Sequence, residues 1–217
     1  MQKARILLNT KVAALLLIAL SFGLIFIPVL KFPFKFMAIT AIVLLLVFLQ
    51  DGSLRGLNFK KLNFKSVVII VGVYAVLELV MDFAVQPLVS KIFNEPADYS
   101  AFDFIKGDTH SYFKYLLYMW LSAAVGEEVL FRAFMTVQLR KIIGERKFVI
   151  VLLTAILFSL PHLYQGLSGL VMTFLFGIAF GFIYLRFNNI WINIIVHGLI
   201  DSLFLTLAYY GEAGFYG

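Results

Sequence analysis

The stretch YFKYLLYMWLSAAVGEEVLFR, residues Tyr112–Arg132, joins an apolar segment to a cluster of charges. Its first part has the composition of a helix in lipid, and Glu127, Glu128 and Arg132 follow within six positions. Charged side chains inside a membrane span are costly, and they usually mark a functional site. The stretch therefore predicts a membrane helix that carries a buried polar site.

The composition of the whole chain is that of a polytopic membrane protein. Of its 217 residues, 62% are hydrophobic and 14% are charged, and the mean hydropathy is +0.97. Soluble domains are roughly half apolar and a quarter charged. The absence of cysteine excludes disulfides, thiolate metal sites and a cysteine nucleophile. Basic loops that orient a membrane protein account for the net charge of +6, so the charge does not indicate a nucleic-acid partner.

Seven apolar segments predict an all-α bundle of about seven transmembrane helices, since each has close to the length that a bilayer requires. They are Val12–Leu30, Phe34–Leu49, Ser66–Val89, Tyr112–Phe134, Phe148–Leu163, Leu167–Leu185 and Ile190–Tyr209. The first is too long for the apolar core of a signal peptide, so we expect it to be retained. We expect one transmembrane domain, residues 1–217, with accessory helices in 1–111 and a catalytic core in 112–209.

The distribution of Lys and Arg predicts how the chain is oriented. Seven spans put twelve of these residues on the side of the N-terminus, from Lys3 to Arg186. Only Lys31, Lys35, Lys91 and Lys106 fall in the segments of the opposite side. Because basic loops stay in the cytoplasm, the pattern predicts a cytoplasmic N-terminus and an external C-terminus, in a bacterial or archaeal cell membrane.

The two adjacent glutamates are predicted to have different roles. Glu128 and Arg132 are four residues apart with the acid first, which is the favourable order for an ion pair on one helix face. Glu127 lies roughly 100° around an α-helix from Glu128 and cannot share that arginine as easily. We therefore expect Glu127 to carry proton chemistry. The alternative is that both glutamates merely fix a helix end near the membrane surface.

Two of the three histidines also fall within predicted spans. His162 ends the motif FSLPH, and His197 lies between Asn193 and Asp201 in a stripe with a spacing of four. Taken alone, His162 could be an interfacial residue and the stripe a network between helices. At 1.5 Å per residue, Glu127, His162 and His197 lie roughly 20, 22 and 16 Å from the basic residues at their inner helix ends. These similar depths permit one buried site between predicted helices four, five and seven.

A carboxylate and two imidazoles can support two kinds of hydrolysis. The carboxylate can take a proton from water while one histidine holds the water and the other stabilises an oxyanion. Alternatively, Glu127, His162 and His197 could bind Zn²⁺ with water as the fourth ligand. The sequence shows neither a Ser–His–Asp arrangement nor an HExxH motif.

Three motifs resemble those of the CPBP family, the CAAX-protease and bacteriocin-processing intramembrane proteases, also called the Abi family. EEVLFR resembles the EExxxR motif of the family, FSLPH resembles FxxxH, and HGLID resembles HxxxN/D. The resemblance covers about 112–209. It implies that Glu127 and His162 activate water, and that His197 and Asp201 support the oxyanion. Asp201 is a departure, because prenyl-protein proteases carry Asn there and an ionised carboxylate cannot donate a hydrogen bond. It is expected instead to orient His197 or to favour a metal.

Three classes of function follow from these observations. The first is an intramembrane endopeptidase that acts on a hydrophobic or lipidated peptide in the bilayer, with Zn²⁺ as an open alternative to metal-free catalysis. The second is a catalytically silent relative that regulates a membrane partner. The third is a proton-coupled transporter that uses Glu78 and Asp82, although helix packing is the simpler interpretation of these two acids.

Overall fold

The structure is a computed structural model that describes residues 2–213. Met1 and residues 214–217, which the predicted domain 1–217 includes, lie outside the described residues, and so do the side chains of Lys3 and Ala4. The described part contains helices and connecting segments but no β-strand. The predicted all-α membrane bundle is therefore confirmed.

Ten α-helices are joined by short 3₁₀ and π-helical segments over residues 2–213. The α-helices are α1 (Gln2–Leu8), α2 (Lys11–Gly23), α3 (Phe34–Asp51), α4 (Phe64–Val80), α5 (Gln86–Phe93), α6 (Thr109–Tyr118), α7 (Met135–Ile143), α8 (Lys147–Ser159), α9 (Gly166–Phe187) and α10 (Ile190–Tyr210). The π-helical segments are Met81–Val85, between α4 and α5, and Met119–Phe134, between α6 and α7. The 3₁₀ segments are Leu24–Phe26, Arg55–Leu57, Ser100–Ile105 and Leu160–Gln165.

Every predicted span coincides with a helical segment, but the number of membrane crossings stays a prediction. Four continuous helical stretches are long and apolar enough to cross a bilayer: Phe34–Asp51, Phe64–Phe93, Lys147–Phe187 and Ile190–Tyr210. A shorter apolar helix covers Lys11–Phe26. The 41-residue stretch contains both α8 and α9, and the chain reverses between them at Gly166, which has a positive φ of 76°. It therefore accounts for two of the seven predicted spans.

The two ends of α10 are tied to loops on opposite sides of the bundle. At its start, the amide of Ile190 donates to the carbonyl of Asn58, in the connection between α3 and α4. At its end, the carbonyl of Tyr209 accepts from the amide of Gly107, in the connection between α5 and α6. The connections that the sequence assigns to opposite membrane faces are thus separated by the length of α10.

The π-helical stretch Met119–Phe134 forms the centre of the bundle. Thirteen of its sixteen residues are buried, and it packs against α3 on one side and α10 on another. Its residues Val129, Leu130, Phe131, Ala133 and Phe134 belong to the largest hydrophobic core cluster, together with residues of α3, α8 and α10. This explains why the most charged predicted span is also the most buried element: protein, and not lipid, surrounds it.

Helices α8 and α9 approach closely because α9 presents two glycines to its neighbour. A Cβ atom added to Gly177 would lie 2.9 Å from the Cα of Ala155, and one added to Gly181 would lie 2.8 Å from the Cγ1 of Val151. From the first contact to the second, the residue number rises along α9 and falls along α8, so the two helices are antiparallel. Small residues at this spacing let helix backbones pack tightly in membranes. The close contact positions the end of α8, where His162 follows.

Side-chain caps define the starts of the helices that carry the site. Asp108 precedes α6, and its carboxylate accepts from the amides of His110 and Ser111 and from the hydroxyl of Ser111. The Ser111 hydroxyl, followed by its amide, holds the pKa of Asp108 below the usual value. Asn189 precedes α10, and its side chain accepts from the amide of Trp191. These local hydrogen bonds fix where α6 and α10 begin.

Candidate active site

Glu128 is the most connected carboxylate of the site. Its side chain is fully buried, with Oε1 lying 3.2 Å from Arg132 Nη1 and 3.0 Å from His197 Nδ1. Its Oε2 accepts a hydrogen bond of 3.1 Å from the side-chain amide of Asn193, which also donates to the carbonyl of Phe180. Glu128 therefore links the π-helical stretch to α10, and it holds His197 as well as Arg132.

The guanidinium of Arg132 is held by aromatic rings as well as by Glu128. It lies 3.9 Å from the ring centroid of Phe158 and 5.2 Å from that of Phe180. Phe180 in turn stacks on His197, with centroids 5.1 Å apart. A cation over an aromatic face is attracted by the ring quadrupole, most strongly where water is excluded. Phe158, the first residue of FSLPH, thus supports the buried arginine.

His162 lies in the 3₁₀ segment Leu160–Gln165 that continues α8. Its Nδ1 is 3.1 Å from the carbonyl oxygen of Phe158. Because a carbonyl only accepts, Nδ1 carries the proton, and in the neutral ring Nε2 is left as an acceptor. Pro161, at the start of the 3₁₀ segment, has no amide hydrogen with which to continue the α-helical pattern. The local sequence thus fixes both the position and the tautomer of His162.

His197 lies between two carboxylates. Its Nδ1 contacts Glu128, and its Nε2 is 3.6 Å from Oδ2 of Asp201, one turn further along α10. The latter distance exceeds that of a direct hydrogen bond, and a polar contact of this length is commonly bridged by water. Asp201 Oδ2 is buried and has no hydrogen-bond partner within residues 2–213. Glu128, which the sequence assigned only to the ion pair, is thus the residue that orients His197.

Glu127 differs from its neighbour in having no hydrogen-bond partner within residues 2–213. It is 7% exposed, and nothing within residues 2–213 donates a hydrogen bond to its carboxylate. It lines a cavity of about 560 Å³ together with His162, His197 and Asp201. The four side chains that the sequence singled out therefore share one cavity, while Glu128 and Arg132 lie behind it. The catalytic roles of the four side chains in the cavity stay predictions.

The walls of this cavity extend well beyond predicted helices four, five and seven. They include residues from the α3 region, from α5 and from the segment between α5 and α6, among them Phe32, Lys35, Phe36, Gln86, Tyr99, Phe102 and Phe104. Sequence reasoning missed these residues, because aromatic and polar positions near span ends have many simpler explanations. The density of aromatic residues in 99–104 is the sequence signal that could have indicated this part of the cavity wall.

Glu78 and Asp82 lie close to the site without joining its cavity. Asp82 is buried, and it lies in the π-helical segment Met81–Val85. Both carboxylate oxygens of Glu78 are shielded from solvent. The side chains of Glu78 and Asp82 interact with each other, and Asp201 is close enough for its charge to act on Glu78. The two acids thus lie beside α10, close to the cavity.

The three candidate metal ligands can be tested by their arrangement. His162 and His197 each use Nδ1 in a hydrogen bond, which leaves Nε2 of both rings for another partner. Over residues 2–213, however, no three His, Cys, Asp or Glu side chains are grouped closely enough to hold a metal ion. The arrangement therefore does not fit a ready-made site of Glu127, His162 and His197, and no step below passes through a metal.

Comparison with protein families identifies the half of the chain that carries this geometry. Residues 109–203 match the Rce1-like family, described as type II CAAX prenyl endopeptidase Rce1-like. The Rce1-like family is part of the CPBP family, so this segment is similar to CPBP proteins. The Rce1-like segment contains Glu127, Glu128, Arg132, His162, His197 and Asp201, and it covers slightly less than half of the chain. No curated protein and no solved structure matches the chain.

The match to a CAAX-protease family supports a peptidase, and the apolar helices identify an integral membrane protein. The Rce1-like segment starts at α6 and ends within α10. The helices before residue 109, which contribute Lys35 and Gln86 to the cavity, therefore lie outside the region of likeness.

Proposed function

We propose that this protein is an intramembrane endopeptidase that hydrolyses a peptide bond in a hydrophobic or lipidated peptide, using water activated by Glu127 and His162. The observation that carries the proposal is the shared cavity: Glu127, His162, His197 and Asp201 line one space between apolar walls. The match to a CAAX-protease family supports the same reaction class.

Glu127 and His162 have the properties that water activation requires. The Glu127 carboxylate has no protein hydrogen bond to give up, and His162 presents an acceptor at Nε2 because its Nδ1 donates to Phe158. Water held by both can lose a proton to Glu127 as its oxygen bonds to the scissile carbonyl carbon. Glu127 then returns that proton to the leaving nitrogen as the carbon–nitrogen bond breaks.

His197 is assigned to the developing oxyanion. In this mechanism both ring nitrogens carry a proton, so Nδ1 donates to Glu128 while Nε2 faces Asp201 and the substrate oxygen. Fixed donors in a site without bulk water stabilise such charge strongly. Glu128 and the stacked ring of Phe180 hold the imidazole in place before substrate arrives. Asp201 lies beside Nε2 of His197, where its side chain can hold that proton donor in place.

The proposed substrate follows from the walls and from the membrane. Most residues that line the cavity are apolar or aromatic, so they favour apolar peptide side chains or a lipid group. A substrate that is itself anchored in the bilayer can reach a site at this depth. We further propose that the N-terminus is cytoplasmic, in keeping with the basic residues of the connections on that side.

Hydrolysis by the purified protein tests this proposal. The full-length protein in detergent is incubated with a farnesylated apolar peptide and with its unprenylated counterpart, and the fragments are measured by mass spectrometry. We expect Glu127→Gln, His162→Ala and His197→Ala to remove hydrolysis while leaving the unfolding temperature close to that of the parent. Glu212→Gln, a change of the same type at an exposed glutamate outside the cavity, is the control.

The outcome also separates the other classes of function. Near-normal turnover by Glu127→Gln would contradict the assignment of the base. Binding of the peptides without cleavage by the parent protein would favour a silent relative that regulates a membrane partner. Proton flux into vesicles that depends on Glu78 and Asp82 would favour the transporter.

A further inference from the structure

The cavity carries a positive charge that the proposed chemistry does not use. Lys35, in the first turn of α3, is the only Lys or Arg among its lining residues. Its Nζ donates a hydrogen bond of 2.7 Å to the carbonyl of Ile25, which fixes the ammonium at the wall. An ammonium group has three donors, so two are left.

Lys35 has no counter-ion within the part of the chain that the structure describes. None of the ion pairs found within 4.0 Å over residues 2–213 involves this residue. The side chain is half-buried among aromatic groups. Because a charge held in apolar surroundings is costly unless it is paired, this position favours an anionic ligand.

Gln86 supplies a second unused donor in the same cavity. It lies at the start of α5, directly after the π-helical segment Met81–Val85, and is only 5% exposed. Its Nε2 is buried and has no hydrogen-bond partner within residues 2–213. An unsatisfied buried donor costs free energy, which a ligand carbonyl would recover. Lys35 and Gln86 thus offer a charged and a neutral donor to one ligand.

The contact between α3 and the π-helical stretch brings the segments of Lys35 and Glu127 together. A Cβ atom added to Gly126 would lie 3.0 Å from Cβ of Phe36, so these two residues touch. Lys35 and Glu127 are the chain neighbours of that contact. Both side chains line the same cavity, so one peptide bound there can lie along both.

We propose that Lys35 binds the C-terminal carboxylate of the substrate and that Gln86 donates to a backbone carbonyl next to it. The ligand is a peptide with a free carboxyl terminus and apolar terminal residues. Lys35 then fixes how far from that terminus the bond above Glu127 is cut. This inference rests on the proposed peptidase function, and it assigns substrate selection to residues outside the Rce1-like segment.

Binding of three labelled peptides tests the proposal. The first ends in farnesyl-Cys-Val-Ile-Met with a free carboxylate, the second is the same peptide with an amidated terminus, and the third is amidated and ends in Glu in place of Met. Their affinity for the purified full-length protein is measured by fluorescence anisotropy. The parent protein should bind the free acid about 10–100-fold more tightly than the amide, as expected of a hydrogen bond to a charged group.

Lys35→Met should lose this preference, whereas Lys35→Arg should keep most of it. Lys31→Met is the matched control, because it removes the same charge one helical turn earlier from an exposed residue that does not line the cavity. It should bind like the parent. Gln86→Met should weaken the acid and the amide by a similar factor, since it removes a neutral donor to the backbone.

Several outcomes would overturn the inference. The first is equal affinity of the parent for acid and amide, and the second is a preference for the acid that survives Lys35→Met. The third is tight binding of the amide that ends in Glu, which would mean that Lys35 binds an acidic side chain and not the terminal carboxylate. Hydrolysis is followed in the same samples. Cleavage of acid and amide at equal rates would contradict the carboxylate site but support the peptidase function. Carboxylate-dependent binding without cleavage would support the carboxylate site but contradict the peptidase function.

Discussion

At the scale of single residues, the adjacent glutamates show how position on a helix divides one residue type into two roles. Glu128 contacts Arg132, His197 and Asn193 behind the cavity wall, while Glu127 faces the cavity and has no partner within residues 2–213. Spacing alone predicted the different roles, because only Glu128 is four residues before Arg132. It did not predict that Glu128 also holds His197, since nothing in the sequence gives the rotation of α10.

The first prediction concerns the buried pair of Glu128 and Arg132. Glu128→Gln or Arg132→Gln alone should lower the free energy of unfolding by about 3–5 kcal/mol, because each leaves one charge buried and unpaired. The double change should recover part of this loss. Hydrolysis should recover less, because the amide oxygen that replaces the carboxylate can accept from His197 but carries no charge to stabilise the protonated ring. Denaturant unfolding in detergent measures the first effect, and strictly additive single changes would show that the two side chains are not coupled.

A second prediction distinguishes metal-free catalysis from a metal site at Asp201. Asp201→Asn should retain activity, because an amide can donate to an oxyanion where an ionised carboxylate cannot. Prolonged chelation should then have little effect. If Zn²⁺ is held by His197 and oriented through Asp201, the same change should weaken metal affinity by roughly 10–100-fold. Metal content and turnover of both proteins, before and after chelation, decide between the two; stoichiometric zinc lost together with activity would contradict our mechanism.

At the scale of helices, the sequence predicted where they lie better than how they are wound. Each predicted apolar segment coincides with a helical segment, because bilayer length and hydropathy leave few alternatives, whereas α1 and α7 lie outside the predicted spans. The π-helical winding of Met119–Phe134 was not predictable, since propensity does not distinguish π from α. At its end the amide of Met135 donates to Leu130, five residues back. The expectation of a simple 3.6-residue turn around Glu127 was therefore wrong, although the separation of the two glutamates was preserved.

The third prediction tests the glycine contact between α8 and α9. Gly177→Ala should lower the unfolding temperature, because the new Cβ would lie 2.9 Å from the backbone of Ala155, and overpacking typically costs about 1–3 kcal/mol. Gly72→Ala is the control: nothing lies within 4 Å of its added Cβ, and alanine favours a helix by about 1 kcal/mol over glycine. Equal unfolding temperatures for the two variants would argue against a tight interface.

At the scale of the whole molecule, the catalytic half could be predicted and the rest of the cavity could not. Motifs place Glu127, His162 and His197 on separate helices, and buried charge limits where such residues can lie. Lys35 and Gln86 carry no motif. Their contribution depends on how the first helices pack on the π-helical stretch, which is decided by contacts such as that of Phe36 with Gly126.

A fourth prediction tests the orientation in the membrane. The chain has no cysteine, so Lys61→Cys and Lys106→Cys each introduce a single reactive thiol at an exposed site. With a cytoplasmic N-terminus and seven crossings, a thiol reagent that cannot cross the membrane should label Lys106→Cys in intact cells and Lys61→Cys only after permeabilisation. Labelling of both from outside, or the reverse pattern, would contradict the proposed topology.

The cavity wall that the helices before residue 109 build has a consequence for how related proteins diversify. Because Lys35 and Gln86 precede the Rce1-like segment, they can change without altering Glu127, His162 and His197, to which we assign the hydrolysis. A lineage could then change which peptides it binds by exchanging the part of the gene that precedes the Rce1-like segment while it keeps the rest intact. A hybrid chain that keeps the contact between Phe36 and Gly126 would combine the proposed chemistry of one parent with the peptide selectivity of the other.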